Sequence, residues 1–286
     1  MDRICNKDDG YYVDVFNKGL EDGWNEVLNR PSYDIETVFK YSNGWGSFKL
    51  VQATLDAMEH FREMPYDYFI NLSGQCYPLR SIEQIKQRLA AADSKSFMEY
   101  EPFPRERWKD EGGGYRRVQK AFFRPFKHAA IWSIPRLRKI PLGMRPYGGS
   151  QWFCMHRDHV EFVLSFLEEH PEVVSFYKRS LIPDEMFFQT ILMNSEVRDE
   201  IVNDSKRYID WSKRCTPLPA TLFTEDISRM ERSGKFFGRK FDTEMDSRVL
   251  DILDARIVGS VDEAVEENDR PSRGEGGNRS IIRTVS

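Results

Sequence analysis

The feature that most narrows what this chain can fold into is the alternation of strand-like and helix-like patterns from residue 11 to residue 256. Residues 66–72 (YDYFINL) form an aromatic and β-branched run cut by Ser73-Gly74, the pattern of a strand ending in a turn. Ahead of it, residues 11–16 (YYVDVF) read as a short strand. Ser47 then opens a helix whose Val51, Leu55, Met58 and Phe61 recur on one face. Behind it, Ser81 with Gln84 forms a capping box for a further helix, and 96–100 (SFMEY) read as another strand. Strands follow at 151–155 and 208–211. Helices are expected at 158–170, stopped by Pro171, from Pro183 onward, near 224–232, and at 243–256 with Thr243 and Asp246 at its start. This order predicts an α/β layered fold. Ligands in such sheets bind beyond the carboxyl ends of the strands, which singles out the turn after Leu72 and the residues after Tyr100.

Two stretches break the pattern. Residues 102–140 hold eleven Lys/Arg against three acids, with Trp108, Tyr115 and Phe122 interleaved and a Gly112-Gly113-Gly114 hinge. A long irregular insertion of this kind is functional or disordered. Its charge suits RNA, anionic lipid or an anionic acceptor. The whole-chain net charge of −4 opposes a nucleic-acid partner, which leaves an anionic acceptor or peripheral membrane contact through 102–140 as the partner readings of this stretch. From 258 to 286 no aromatic residue occurs, and the composition reads as a disordered tail behind a single domain at 1–257. The N-terminus lacks an apolar signal core, and no stretch of about eighteen apolar residues exists. Four cysteines sit outside any CxxC pair and no His spacing completes a metal site. The expectation is a cytoplasmic protein with reduced thiols, no metal and no cofactor.

Four segments carry candidate chemistry. Pro183-Asp184-Glu185 precedes an apolar helix, so its acids either cap that helix or hold an ionised carboxylate as a general base. Arg239-Lys240 lies between aromatics and is either a solvated turn or a cation pair for a diphosphate. Gly148-Gly149-Ser150-Gln151-Trp152 is either a tight turn or a place where the backbone approaches a ligand and Trp152 stacks on a sugar. The segment 72–79 joins a strand to a helix but has no P-loop spacing. An Asp-x-Asp metal pair is absent. Glu99-Tyr100-Glu101 is the nearest acidic pair and a poor Mg²⁺ site.

Taken in order, GWGSFKLVQATL, YDYFINLSGQCYPL, MEYEPFPRERW, GGSQWFCMHRDHVEFVL, IPDEMFFQTILMNS, RYIDW and GKFFGRKFD resemble the core 2/I-branching N-acetylglucosaminyltransferases, a family that includes the peptide xylosyltransferases, in a short, bacterial-type form. The resemblance implies a GT-A-type, Rossmann-like fold with a mixed central sheet flanked by helices. It implies transfer of GlcNAc or xylose from a UDP-sugar to a glycan or glycosylated acceptor, with inversion and without a divalent metal. By the same resemblance Glu185 is the general base, Lys240 contacts the diphosphate, Trp211 lines the acceptor pocket, and Glu99 and Arg107 bind acceptor hydroxyls. The loop before Arg107 is three residues short of that in the animal enzymes, and Arg105 stands in for a lysine.

The resemblance also has gaps. Phe16 stands where the family has an Asp for the uracil, and Cys76 replaces another Asp. Only ten residues precede Tyr11, so the family's first strand and helix are expected to be missing and the strand at 11–16 to have an open edge. No arginine occurs at 216–221, which leaves Arg239 or Arg214 as the second diphosphate cation. The alternative to a working transferase is therefore a catalytically impaired glycan-binding remnant.

Overall fold

The computed structural model describes residues 46–123, 132–134, 138–212 and 218–257 in full, and the backbone of 11–14, 35–38, 258–267 and 281–285. Cys5, Phe16, Arg214 and Cys215 lie outside the described residues. In chain order the strands are β1 (Tyr11–Asp14), β2 (Ile35–Val38), β3 (Tyr68–Leu72), β4 (Tyr77–Pro78), β5 (Ser96–Met98), β6 (Glu101–Pro102), β7 (Ala121–Phe123), β8 (Trp132–Ile134), β9 (Tyr147–Gly148), β10 (Phe153–His156), β11 (Ile201–Val202), β12 (Arg207–Ile209), β13 (Phe237–Arg239) and β14 (Ile281–Val285). The helices are α1 (Lys49–His60), α2 (Ile82–Ala90), α3 (Tyr115–Gln119), α4 (Arg157–Glu169), α5 (Pro171–Tyr177), α6 (Phe187–Met193), α7 (Ile227–Arg232) and α8 (Arg248–Glu267).

The fold is mixed α/β. Its main sheet runs β11-β5-β10-β3-β14-β1-β2. Strand β10 is antiparallel to both β5 and β3, and the other pairs are parallel. With both faces of the sheet covered, every residue of β3 (Tyr68–Leu72) is buried, which explains its largely apolar run. Phe69 enters one core with Val51, Met58, Phe153, Val160 and Phe187. Ile70 and Leu72 enter another with Ile82, Ile85, Phe97 and Cys154. Helices α1, α4 and α6 thus cover one face and α2 the other. A smaller sheet, β12-β13-β4, packs with α7 and α8 around Leu222, Met230, Phe241 and Val249.

Local signals account for many boundaries. The Ser81 hydroxyl accepts from Gln84 N at 3.2 Å and caps α2. Pro171 ends α4 and also starts α5, because proline fits the first helical position. The helix expected from Pro183 is instead a 3₁₀ turn, Pro183–Glu185, separated from α6 by Met186. The cap of α8 is Asp246, which accepts from Arg248 N and Val249 N, rather than Thr243.

Three expectations change. Strand β1 is paired on both sides, by β14 and β2, so it has no open edge. The segment read as a tail is regular in two places: α8 continues to Glu267, and the β-branched run of β14 pairs along all five residues of β3. A polar composition hides such a strand because its stability comes from neighbours distant in sequence. The three-glycine hinge is a packed turn. Gly113 and Gly114 are buried with φ of +69° and +98°, and a side chain at Gly114 would overlap Phe103 and Trp108.

Candidate active site

The chain folds so that the ends of β3, β5 and β13 and the start of β10 meet, the region where α/β sheets bind ligands. Glu99 follows β5. Gly149 N donates to the Glu185 carbonyl at 2.8 Å, which ties the turn before β10 to the 3₁₀ turn of Glu185. Phe241 N donates to the Gln75 carbonyl at 3.0 Å, which ties the segment after β13 to the turn after β3. Asn71, near the end of β3, bonds Gln151 O at 3.2 Å and shares a small cavity with Gln151 and Asp184. That cavity is of about 10 Å³, the size that admits one water.

Glu185 is half-buried, and Arg117 Nη1 donates to its Oε2 at 2.7 Å. Oε1 has no partner among the described residues. Arg117 is buried and also binds Glu111 through two guanidinium nitrogens. Burial works against its charge, but the bonds to Glu111 and the charge of Glu185 outweigh that and raise its pKa. Its guanidinium lies 3.9 Å from the Trp108 ring centre, and Arg105 lies 4.5 Å from the same ring. Arg105 in turn donates to Glu99 at 2.6 Å and to Glu101 at 2.9 Å. Four carboxylates are thus held by two buried guanidiniums that share one indole. Sequence reasoning missed Arg117 and Trp108. The available signal was the glycine turn, which exists to seat Trp108.

Glu99 and Glu101, the acidic pair weighed as a metal site, share Arg105. Among the described residues, no group of three His, Cys, Asp or Glu is placed to hold a metal ion. The turn glycines also have a different purpose from close approach to a ligand. A side chain at Gly148 would overlap Trp108, and one at Gly149 would overlap the Glu99 carbonyl.

At the other end, Arg239 lies 4.4 Å from the Trp152 ring centre. Burial pulls its pKa down, against a smaller opposing contribution from Cys76 beside it. Its Nε is buried without a partner among the described residues. Lys240 is half-buried and has no ion pair among the described residues, while its carbonyl accepts from Leu222 N at 2.9 Å. Trp152, expected to stack on a sugar, is 3% exposed and sits beneath Arg239. Arg107 and Trp211 are brought together, with the guanidinium 3.5 Å from the ring centre. Glu99 is bound by Arg105 rather than by Arg107. Asp184 is buried and its Oδ1 lacks a partner among the described residues. Burial, helped by the charge of Glu185, pushes its carboxyl up to about 7.

Relatives give this geometry a family. Xylosyltransferase 2 of Canis lupus familiaris is 30% identical over 237 residues, covering 76% of this chain and 26% of that protein. Xylosyltransferase 2 of Homo sapiens matches at the same identity and coverage. Xylosyltransferase 1 of Homo sapiens is 27% identical over 278 residues, covering 90% of this chain and 28% of that protein. The chain therefore spans roughly a quarter of the length of these curated relatives. Residues 12–231 match the family model described as Core-2/I-Branching enzyme. Glu99, Arg107, Trp152, Glu185 and Trp211 fall inside that stretch, while Arg239 and Lys240 lie just beyond it. A match over more than half of the sequence shows that the chain belongs to the Core-2/I-Branching enzyme family.

Proposed function

We propose that the chain is a sugar-transferring enzyme that moves GlcNAc or xylose from a UDP-sugar to an acceptor hydroxyl, with inversion, on a GT-A-type scaffold. The observation that carries this reading is Glu185: a carboxylate held by Arg117 through one oxygen, with the other open among the described residues. In the proposed step the acceptor hydroxyl gives its proton to Glu185 Oε1. The freed oxygen forms a bond to the anomeric carbon as the bond from that carbon to the diphosphate breaks. A single displacement from the opposite face inverts the configuration, the same facial logic as in inverting hydrolases.

Lys240 and Arg239 stabilise the charge that grows on the departing UDP. Trp152 is the platform that holds Arg239 in place. Glu99, Arg107 and Trp211 form the acceptor side, with Arg105 setting the position of Glu99. Arg117 is a positioning residue that orients Glu185. The metal-free reading is supported by Glu99 and Glu101, each of which already binds Arg105 through one carboxylate oxygen.

The test is transfer or donor hydrolysis across a panel of UDP-sugars with EDTA present. Activity with UDP-GlcNAc or UDP-xylose that survives EDTA is expected. Activity that disappears with EDTA and returns with Mn²⁺ would overturn the metal-free step.

A further inference from the structure

The β7–β8 ribbon presents an apolar face that nothing in the transfer step uses. Its antiparallel register pairs Ala121 with Ile134 and Phe123 with Trp132. Cross-strand partners and every second residue share a face, so Ala121, Phe123, Trp132 and Ile134 line one side of the ribbon. Phe123 is 42%, Trp132 61% and Ile134 50% exposed, and Leu142 nearby in the chain is 53% exposed. A two-stranded ribbon has little stability of its own. This one is fastened to the body: Phe122 N donates to Arg179 O at 2.8 Å. Arg138 stacks on Phe176 and bonds the carbonyls of Lys120 and Arg179. These backbone and arginine contacts tie the ribbon to the body, while Phe123, Trp132 and Ile134 stay exposed.

The charge around the ribbon identifies its partner. From residue 112 to residue 157 the sequence has no Asp or Glu and ten Lys/Arg. Arg117, Arg138 and Arg157 are used inside the fold. Among the described residues, Arg116, Lys139 and Arg145 are exposed. Aromatic side chains exposed among cations, in a chain whose net charge is −4, match the headgroup layer of an anionic bilayer. There, indole rings sit at the interface and each cation adds attraction. An exposed apolar patch of this kind marks an interaction surface.

We infer that the β7–β8 ribbon is a membrane-docking surface, inserting Phe123, Trp132 and Ile134 into the interface of an anionic lipid bilayer. The inference does not depend on the transfer chemistry.

Co-sedimentation of the full chain with vesicles tests it, using phosphatidylcholine alone and phosphatidylcholine with about one third phosphatidylglycerol. Binding to the anionic vesicles, weaker binding to the neutral ones, and loss of binding as salt shortens the Debye length to about 3 Å are expected. The variant Phe123→Ser with Trp132→Ser should bind at least about ten-fold more weakly, the factor that ~1.4 kcal/mol of lost apolar burial gives. Both positions are exposed, and an unchanged melting temperature confirms that the variant is folded. Lys139→Glu should weaken anionic binding alone. Failure of the wild-type chain to sediment with either vesicle overturns the proposal. So does a wild-type dimer that the double variant converts to monomer, because the face would then be covered by a second copy.

Discussion

Two regions of the candidate site handle charge in opposite ways. At one end Glu99, Glu101, Glu111 and Glu185 share the buried guanidiniums of Arg105 and Arg117, stacked on Trp108. At the other, Arg239 and Lys240 have no carboxylate partner among the described residues, and Arg239 rests on an indole instead. A carboxylate with one oxygen bound is oriented yet can still take a proton. A cation without an internal partner can still meet an external anion. The contrast is what the proposed roles rest on: a base at Glu185 and an anion site at Arg239 and Lys240.

The sharpest way to break this contrast is Glu185→Gln. It should leave the melting temperature nearly unchanged and lower turnover by about 10²–10⁴, the usual cost of a lost general base. Steady-state kinetics on the active UDP-sugar decides it, and a fully active variant would remove Glu185 from the role. At the anion end, Lys240→Ala should cost about 10²–10³ in kcat. UDP at about 100 times its dissociation constant should stabilise the wild-type chain by ~2.7 kcal/mol in a thermal-shift titration. That gain should shrink in the Lys240→Ala variant. A wild-type chain indifferent to millimolar UDP would favour the glycan-binding remnant.

Smaller effects sharpen the base end. Arg117→Gln leaves Glu111 and Glu185 facing each other without their cation. Removing one member of a buried pair costs ~3–5 kcal/mol. Here both carboxylates keep about a third or more of their surface exposed, so ~1–3 kcal/mol in denaturant unfolding is expected. If Arg117 orients Glu185, kcat should fall with KM little changed, and Arg117→Lys should restore part of it. A purely structural role would not produce that split.

Asp184 gives the smallest effect, with a definite sign. Its folded carboxyl is raised to about 7, so the unfolded chain releases the proton first as pH rises. The stability contribution is present at low pH and is lost as pH climbs through about 7. Between about pH 5 and pH 8 the wild-type chain should lose ~2 kcal/mol from this group. Asp184→Asn should flatten that loss in paired denaturation curves.

Much of the scaffold was legible in the sequence because its causes are local. The apolar run of β3, the Ser81 cap and the proline at the start of the Glu185 turn each depend on residues a few positions apart. Family resemblance supplied Glu185, Lys240 and Trp211 as candidates, and the structure brings Trp211 against Arg107. Pairing across long sequence distances was not legible. Nothing near Arg117 indicates that it meets Glu185, 68 positions away. Trp152 reads as a sugar platform until the fold places Arg239 over it. The glycines at 148 and 149 suggest ligand approach until Trp108 and the Glu99 backbone occupy the space. By itself, then, the sequence determined the alternation of elements, the caps and the chemical types available at the site. Only the tertiary structure decided which charges neutralise one another and which stay available. Coulombic pairing and burial depend on distances between side chains that the chain brings together only once it is folded.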